Sequence, residues 1–323
     1  MLSSTGDTLR GFDPMNQNQK TKIIVLCGPT GIGKTAAAIN LAIRFRGEII
    51  GADSMQIYRQ MEIGTAKPTG SEQDRVPHHL IDVVDPDEDF DAERYVALAR
   101  PLIAGLTGRG RVPLVVGGTG FYIKALIYGL FEAAPVKPDV RQRLHKEVAD
   151  QGSPALHRRL VQCDPDAAAR IHPNDTYRVV RALEVFESSG QTISSWQQAH
   201  AFKTKQYDCL QIGLNMQRQD LYARIDQRVD QMIGQGLLDE VRGLLEKGYA
   251  SDLKAMQSLG YRHMVAYLQG QLSWDETVRT LKRDTRRYAK RQLTWFQADK
   301  DIAWVEKDDI EKMAALIENF LNN

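Results

Sequence analysis

The residues Gly28-Pro29-Thr30-Gly31-Ile32-Gly33-Lys34-Thr35 fit the pattern G-x-x-x-x-G-K-[ST], and nothing else in the chain restricts its fold so sharply. The pattern carries meaning only with a strand before it and a helix after it. Lys22-Ile23-Ile24-Val25-Leu26-Cys27 is a short β-branched apolar run, the composition of a buried parallel strand. Ala36-Ala37-Ala38-Ile39-Asn40-Leu41-Ala42 is rich in strong helix formers. Strand, glycine loop and helix together make a phosphate cradle. Loop N–H groups point inward, the helix N-terminus adds partial positive charge, and Lys34 adds a full one. Thr35 stands where a hydroxyl can hold Mg²⁺ against the same phosphates. The eight residues are expected to bind a di- or triphosphate.

A second strand, Gly47-Glu48-Ile49-Ile50-Gly51-Ala52-Asp53-Ser54, follows the first helix. Strand, helix and strand in this order form a βαβ unit, so the sheet is parallel and the fold α/β. Sites in such sheets lie beyond the carboxyl ends of the strands, which puts Asp53 in the same crevice as the phosphate loop. Asp is also common in turns at strand exits, the plainer reading of this residue. Residues 56–68 make a turn-rich loop of a length that usually serves function. His78 and His79 are adjacent and lack a third ligand nearby, which disfavours a zinc site. Residues 91–106 read as an amphipathic helix. The third strand and its exit are Arg111-Val112-Pro113-Leu114-Val115-Val116-Gly117-Gly118-Thr119-Gly120. P-loop enzymes that transfer a phosphoryl group commonly carry an Asp there to help hold Mg²⁺. Its absence weakens the kinase and ATPase readings. The glycines are either packing residues or room for a ligand, with Thr119 as a hydroxyl donor.

From 131 to 204 the pattern is helical, with helices opening near Asp139, Pro154 and Ala167 and a strong amphipathic one from Asn174. We read this block as an all-helical insertion, with residues 207–214 as the strand that returns to the core. The core is then 21–130 plus 205–323. The last third reads as entirely helical. Arg224 and Arg228 are four apart and share a helix face, placed either to clamp a diphosphate or to pair with Asp220 and nearby acids. Arg279, Lys282, Arg283, Arg286, Arg287, Lys290 and Arg291 recur at helical spacing, with Asp284 the single acid in the run. Val278, Leu281, Tyr288, Ala289, Leu293 and Phe296 occupy the other side. Such a run favours a polyanionic partner. Gln257-Ser258-Leu259-Gly260-Tyr261-Arg262 and Trp295 add groups able to stack on or hold unpaired bases.

The net charge of +1 hides this clustering of basic residues late in the chain. Cys27, Cys163 and Cys209 lie far apart, the spacing of reduced thiols, which suits a cytoplasmic protein. Residues 1–20 are polar, neither signal peptide nor anchor, and read as a disordered extension in which Met15 is an alternative start. No apolar run reaches the ~18 residues of a membrane span.

The ordered set of motifs resembles the bacterial tRNA dimethylallyltransferases (the isopentenyltransferase or IPP transferase family). It comprises the phosphate loop, Asp53-Ser54-Met55-Gln56-Ile57-Tyr58, Ile63-Gly64-Thr65-Ala66-Lys67-Pro68, His78-His79-Leu80-Ile81-Asp82, Val116-Gly117-Gly118-Thr119-Gly120, Arg181-Ala182-Leu183-Glu184, Leu259-Gly260-Tyr261-Arg262 and Lys290-Arg291-Gln292. The resemblance implies a P-loop, kinase-like core with an inserted helical domain. It implies transfer of a dimethylallyl group from dimethylallyl diphosphate to N6 of adenine 37, beside the anticodon, in tRNAs reading codons that begin with U. The cradle would hold that diphosphate instead of ATP, which accounts for the missing strand-end Asp. Asp53 is implied as base, Thr119 as a positioning group, and Lys34, Arg228 and Arg224 as diphosphate ligands with Mg²⁺ on Thr35. The tRNA anticodon stem-loop would lie on Asp53, Ser54, Met55, Gln56, Thr119, Arg141, Tyr177, Arg178, Val179, Val180 and Arg181. It would also touch Gln257, Ser258, Leu259, Gly260, Tyr261, Arg262, Lys290, Arg291, Gln292 and Trp295. The chain departs from the family at Gln297, where relatives tend to be basic, and carries no appended zinc finger. A monomer is expected. A nucleoside kinase, a prenyltransferase acting on free adenylate and a non-catalytic RNA-binding protein are the rival readings.

Overall fold

Six parallel strands in the order β3-β2-β4-β1-β5-β6 form one sheet in the computed structural model, which describes residues 20–130 and 137–323. The strands are β1 (Lys22–Cys27), β2 (Gly47–Gly51), β3 (His78–His79), β4 (Val112–Gly117), β5 (Asp208–Asn215) and β6 (Ile302–Glu306). Central strands of such a sheet are covered on both faces and therefore apolar throughout. Alternate residues of β1 illustrate this. Ile23, Val25 and Cys27 enter one core with Ile50 and Val115, while Ile24 and Leu26 enter another with Ile49, Leu114 and Ile212.

The first core lies under α3 (Ala92–Gly108) and α4 (Gly120–Tyr128). The second lies under α1 (Lys34–Arg44) and the C-terminal α14 (Ile310–Asn322), where Arg44 bonds Glu311 at 2.9–3.0 Å and Glu318 at 3.1 Å. Among the described residues, five helices come between α4 and β5: α5 (Pro138–Gln151), α6 (Ser153–Cys163), α7 (Pro165–Arg170), α8 (Thr176–Ser189) and α9 (Ile193–His200). They share a separate core around Leu144, Leu156, Leu160, Val179 and Leu183. The short α2 (Gly70–Arg75), α10 (Arg218–Gly234), α11 (Leu237–Glu246), α12 (Tyr261–Leu268) and the long α13 (Trp274–Gln297) complete the described elements.

Two sequence readings need correction, and the histidine pair takes an element that no pattern predicted. The last third is not wholly helical, because β6 pairs with β5 from Gln211↔Ile302 to Asn215↔Glu306. His78 and His79 form the edge strand β3, with His79 Nε2 2.7 Å from Glu48 Oε2 and His78 Nδ1 2.8 Å from Val76 O. The buried side of α13 is Thr277, Thr280, Leu281, Thr285, Ala289, Gln292 and Phe296, whereas Val278, Tyr288 and Leu293 are only partly buried. Its threonines enter the interior because each hydroxyl bonds a carbonyl of the preceding turn: Thr277 to Ser273, Thr280 to Glu276 and Thr285 to Leu281. Residues 1–19 and 131–136, which include most of the N-terminal extension and the first residues of the expected insertion, lie outside the described residues.

Candidate active site

The phosphate loop leaves β1 at the centre of the sheet and enters α1 with Lys34 as its first residue. Gly31 and Gly33 have φ of +80° and +102°, conformations that other L residues rarely adopt. A side chain at Gly31 would also run into Ile225 of α10. That helix roofs the loop, and Arg224 Nε donates to Gly31 O at 3.1 Å. Arg224 therefore bonds the loop backbone and pairs with no carboxylate among the described residues. Lys34 Nζ donates to Gly28 O at 3.0 Å and Pro29 O at 2.8 Å. Desolvation beneath the loop lowers its pKa to about 8; Asp53 opposes the shift and Arg228 reinforces it. Arg228 is held below its usual value chiefly by burial, against the pull of Asp53. Lys34, Arg228 and Asp53 thus share one electrostatic environment.

Ala52 extends the β2 ladder by donating to Val116 O at 2.8 Å, and the chain turns at Asp53. Asp53 Oδ1 accepts from Met55 N at 2.9 Å and Gln56 N at 3.4 Å, leaving Oδ2 without a partner among the described residues. Thr119 lies two residues past the neighbouring strand, at the N-cap of α4. Its backbone N donates to Ala52 O at 3.1 Å, its Oγ1 accepts from Ser54 N at 3.0 Å, and it lies 3.3 Å from Ser54 Oγ. Asp53 and Thr119 therefore stand side by side at the carboxyl ends of β2 and β4, beside the cradle.

The strand-end glycines do not open space for a ligand. A Cβ at Gly117 would collide with the backbone of Ala52, one at Gly118 with the Gln292 amide, and one at Gly120 with the Trp295 indole. Gln292 takes the Thr30 N–H at 2.8 Å and donates to Gly118 O at 2.8 Å, bracing the phosphate loop against the β4 exit. It is 7% exposed, a brace and not an RNA-facing group. Tyr261 is likewise buried, its hydroxyl donating to Glu240 Oε1 at 2.6 Å and its ring against Gly64, so it cannot stack on a base. Val179 and Val180 are core residues of the helical block and Gly260 is buried; none of the three presents a surface to RNA.

Other expected RNA contacts do face solvent. Tyr177 is 77% exposed at the start of α8, and Arg178 beside it is exposed, 3.4 Å from Asp175 Oδ2. Arg141 and Arg181 converge on buried Glu184 at 2.9 and 3.4 Å while keeping part of each guanidinium in water. Tyr122 of α4 is buried, and burial raises its pKa most, with Tyr58, Asp91, Asp53 and Tyr177 adding to the shift. Gln257 is exposed and bonds Ser251 O at 2.7 Å, Arg262 reaches Asp284 at 3.3 Å, and Ser258 and Leu259 are half-buried. The basic face of α13 is less free than its sequence suggests. Arg279 pairs with Glu276, Lys282 with Asp230, Arg286 with Asp226, and Arg283 and Arg287 with Asp284. Two of those acids lie on α10, invisible to spacing along α13. Lys290 and Arg291 have no carboxylate partner among the described residues.

Two contributors escape sequence reasoning. Tyr288 lies close enough to Asp53 for that carboxylate to raise its pKa, after the larger effect of burial. Glu240 accepts from the backbone N of Glu62, Ile63 and Gly64 at 2.9, 2.7 and 3.1 Å, fixing the loop that carries Gln56. The tyrosine reads as an apolar-face residue, and nothing in the spacing marks the glutamate.

Fold and site together define a P-loop protein that gathers cations at one end of a crevice and sets a carboxylate beside a hydroxyl at the adjoining strand ends. Residues 56–299 match the model of the IPP transferase family, and residues 21–82 match that of isopentenyl transferase. A tRNA dimethylallyltransferase of Desulfosudis oleivorans is 56% identical over 303 residues, covering 94% of this chain and 96% of that protein. One of Syntrophobacter fumaroxidans is 56% identical over 295 residues, covering 91% and 86%. The crystal structure of the tRNA isopentenylpyrophosphate transferase of Bacillus halodurans superposes with a TM-score of 0.71 at 42% identity, covering 94% of this chain and 97% of that one. A eukaryotic dimethylallyltransferase acting on tRNA superposes at 0.81 and 29% identity, covering 94% and 80%. The chain belongs to the IPP transferase family.

Proposed function

We infer that the chain transfers a dimethylallyl group from dimethylallyl diphosphate to N6 of adenine 37, beside the anticodon, in tRNAs reading codons that begin with U. The products are N6-(dimethylallyl)adenosine and diphosphate. The observation that carries the reading is the adjacency of the cationic cradle to Asp53 and Thr119, with no carboxylate at the end of β4.

The cradle N–H groups, Lys34, Arg224 and Arg228 bind the diphosphate and take up the negative charge that grows as the C1–O bond breaks. The N6–C1 bond forms as that bond breaks, and the N6 proton passes to Asp53 Oδ2, the oxygen its own turn leaves free. Thr119 holds the Asp53-Ser54 turn against β4 and orients the adenine. A loop base can be splayed out of its stack to reach this depth. Tyr177, Arg178, Arg141 and Arg181 hold the anticodon stem-loop from the helical block (131–204). Ser54, Met55, Gln56, Gln257, Ser258, Leu259, Arg262, Lys290, Arg291 and Trp295 hold it from the core.

Mg²⁺ suits this donor set only together with the diphosphate, since Thr35 offers a single hydroxyl and no cluster of three or more acidic, His or Cys ligands exists among the described residues. Held by Thr35 and the bound diphosphate, it would supply charge neutralisation on the leaving group. The protein acts as a monomer in the cytoplasm. No helix among the described residues is long and apolar enough to cross a membrane.

A stem-loop RNA with adenine at the target position should gain one prenyl group, detected by nucleoside mass analysis. The same RNA with purine there, which lacks the N6 amine, should gain none. Equal modification of both would remove N6 as the nucleophile.

A further inference from the structure

Glu240, in the first turn of α11, gathers hydrogen bonds from donors alone. Its Oε2 takes the backbone N–H groups of Glu62 and Ile63 at 2.9 and 2.7 Å. Its Oε1 takes that of Gly64 at 3.1 Å and the Tyr261 hydroxyl at 2.6 Å. Three consecutive N–H groups of one loop are thus aimed at a single carboxylate, which sets the path of the residues that follow. Lys67 anchors the far end of the loop. Its side chain is 2% exposed, and Nζ reaches Tyr58 O at 2.7 Å, Glu62 Oε1 at 2.8 Å and the Asp82 carboxylate. Between the two anchors Ala66 has φ of +46°, a left-handed conformation that persists in a non-glycine residue only where its surroundings over-determine it.

The carbonyls of Thr65 and Ala66 converge on Gln56 Nε2, at 3.2 and 3.1 Å. Only the NH2 end of an amide can meet two carbonyls, so both its hydrogens are spent there. Oε1 is left over, without a partner among the described residues. The Gln56 backbone N lies 3.4 Å from Asp53 Oδ1, so the amide stands on the same turn as the carboxylate.

We propose that Glu240 is a positioning residue for base recognition: by setting the loop 62–66 it locks Gln56 as an acceptor for the exocyclic amino group of the base beside Asp53. The proposal rests on the transferase reading for the identity of that base. A free amide can turn over and offer either end, so it separates an amino group from a carbonyl poorly. An amide whose donors are already taken offers oxygen alone. An amino group at the six position of a purine meets it as a donor, whereas a carbonyl there meets two acceptors, Asp53 and Gln56. Glu240 acts through the loop and touches no substrate itself. A carboxylate suits the place because every group that bonds it is a donor.

The test uses the full chain with Gln56→Met, Glu240→Gln and the double variant. Binding is measured to a stem-loop RNA with adenine or hypoxanthine at the target position, without dimethylallyl diphosphate. The parent chain should prefer adenine, and Gln56→Met should shrink that preference by about three- to tenfold, the worth of one hydrogen bond. Glu240→Gln should shrink it similarly with affinity for dimethylallyl diphosphate unchanged, and the double variant should lose no more than Gln56→Met alone. A purely structural Glu240 would weaken both RNAs equally, and that result would overturn the proposal. So would an unchanged preference in Gln56→Met, or losses that add in the double variant. Amide hydrogen exchange in the parent chain tests the clamp even if Glu240→Gln does not fold. The N–H groups of Glu62, Ile63 and Gly64 should exchange slowly, and exchange at open-loop rates would overturn it. Prenyl transfer by a parent chain that binds both RNAs alike would overturn the acceptor and leave the transferase reading standing. Adenine preference without transfer would do the reverse.

Discussion

Asp53 has divided duties, one oxygen holding the turn and the other free, and this decides how it should be tested. Removing the whole carboxylate would release Met55 N and Gln56 N as well as the base. Asp53→Asn keeps an oxygen for the turn and removes the basicity. It should lower turnover by about 10²–10⁴-fold, the usual range for one general base, with RNA affinity little changed. Equal loss of binding and turnover would make Asp53 a structural residue. Lys34 sets the pH dependence. Its pKa of about 8 means that the ammonium is charged below that pH and largely neutral above it. Affinity for dimethylallyl diphosphate should therefore be full below pH 8. It should fall as pH rises, by up to roughly tenfold per unit, until the higher pKa of the complex is reached. Lys34→Arg should flatten the profile in a calorimetric titration.

The brace between elements is Gln292, which carries α13 onto both the phosphate loop and the β4 exit. Gln292→Ala would leave Thr30 N and Gly118 O unpaired, at a cost of about 1–3 kcal/mol for each group that stays buried. A lower melting temperature and weaker diphosphate binding should appear together. A variant that melts lower but binds diphosphate normally would show that the brace does not shape the loop. The elements divide sharply in how far the sequence discloses them. The strand-loop-helix unit around Lys34 was legible because its glycines, its lysine and its periodicity are local. The meaning of Gly117, Gly118 and Gly120 was not. Their partners (Ala52, Gln292 and Trp295) are remote in sequence, and an empty position looks the same whether a ligand or a side chain fills it. Strand β3 is two residues long and β6 is flanked by charged residues, so neither gave a periodic signal.

At the scale of the molecule, the helices between α4 and β5 have their own core, so disturbing that core should leave the cradle working. Leu160→Ala, in a fully buried position, should cost about 2–5 kcal/mol within that block. RNA binding should weaken while the affinity for dimethylallyl diphosphate stays the same; loss of both together would show one cooperative unit. The order of motifs made the α/β core and the target chemistry legible, because the phosphate loop, the Asp53 turn and the Thr119 turn each follow a strand of one sheet. The charge balance of α13 was not, since Asp226 and Asp230 reach it from α10.

The central claim is that the P-loop of this chain serves prenyl transfer to RNA and not phosphoryl transfer. The direct measurement incubates the protein with unmodified tRNA and Mg²⁺, with dimethylallyl diphosphate or ATP as donor, followed by nucleoside mass analysis. The account predicts one prenyl group on adenosine from the isoprenoid diphosphate alone, with no need for ATP. ADP formation on a small acceptor, with no prenylated nucleoside, would contradict it.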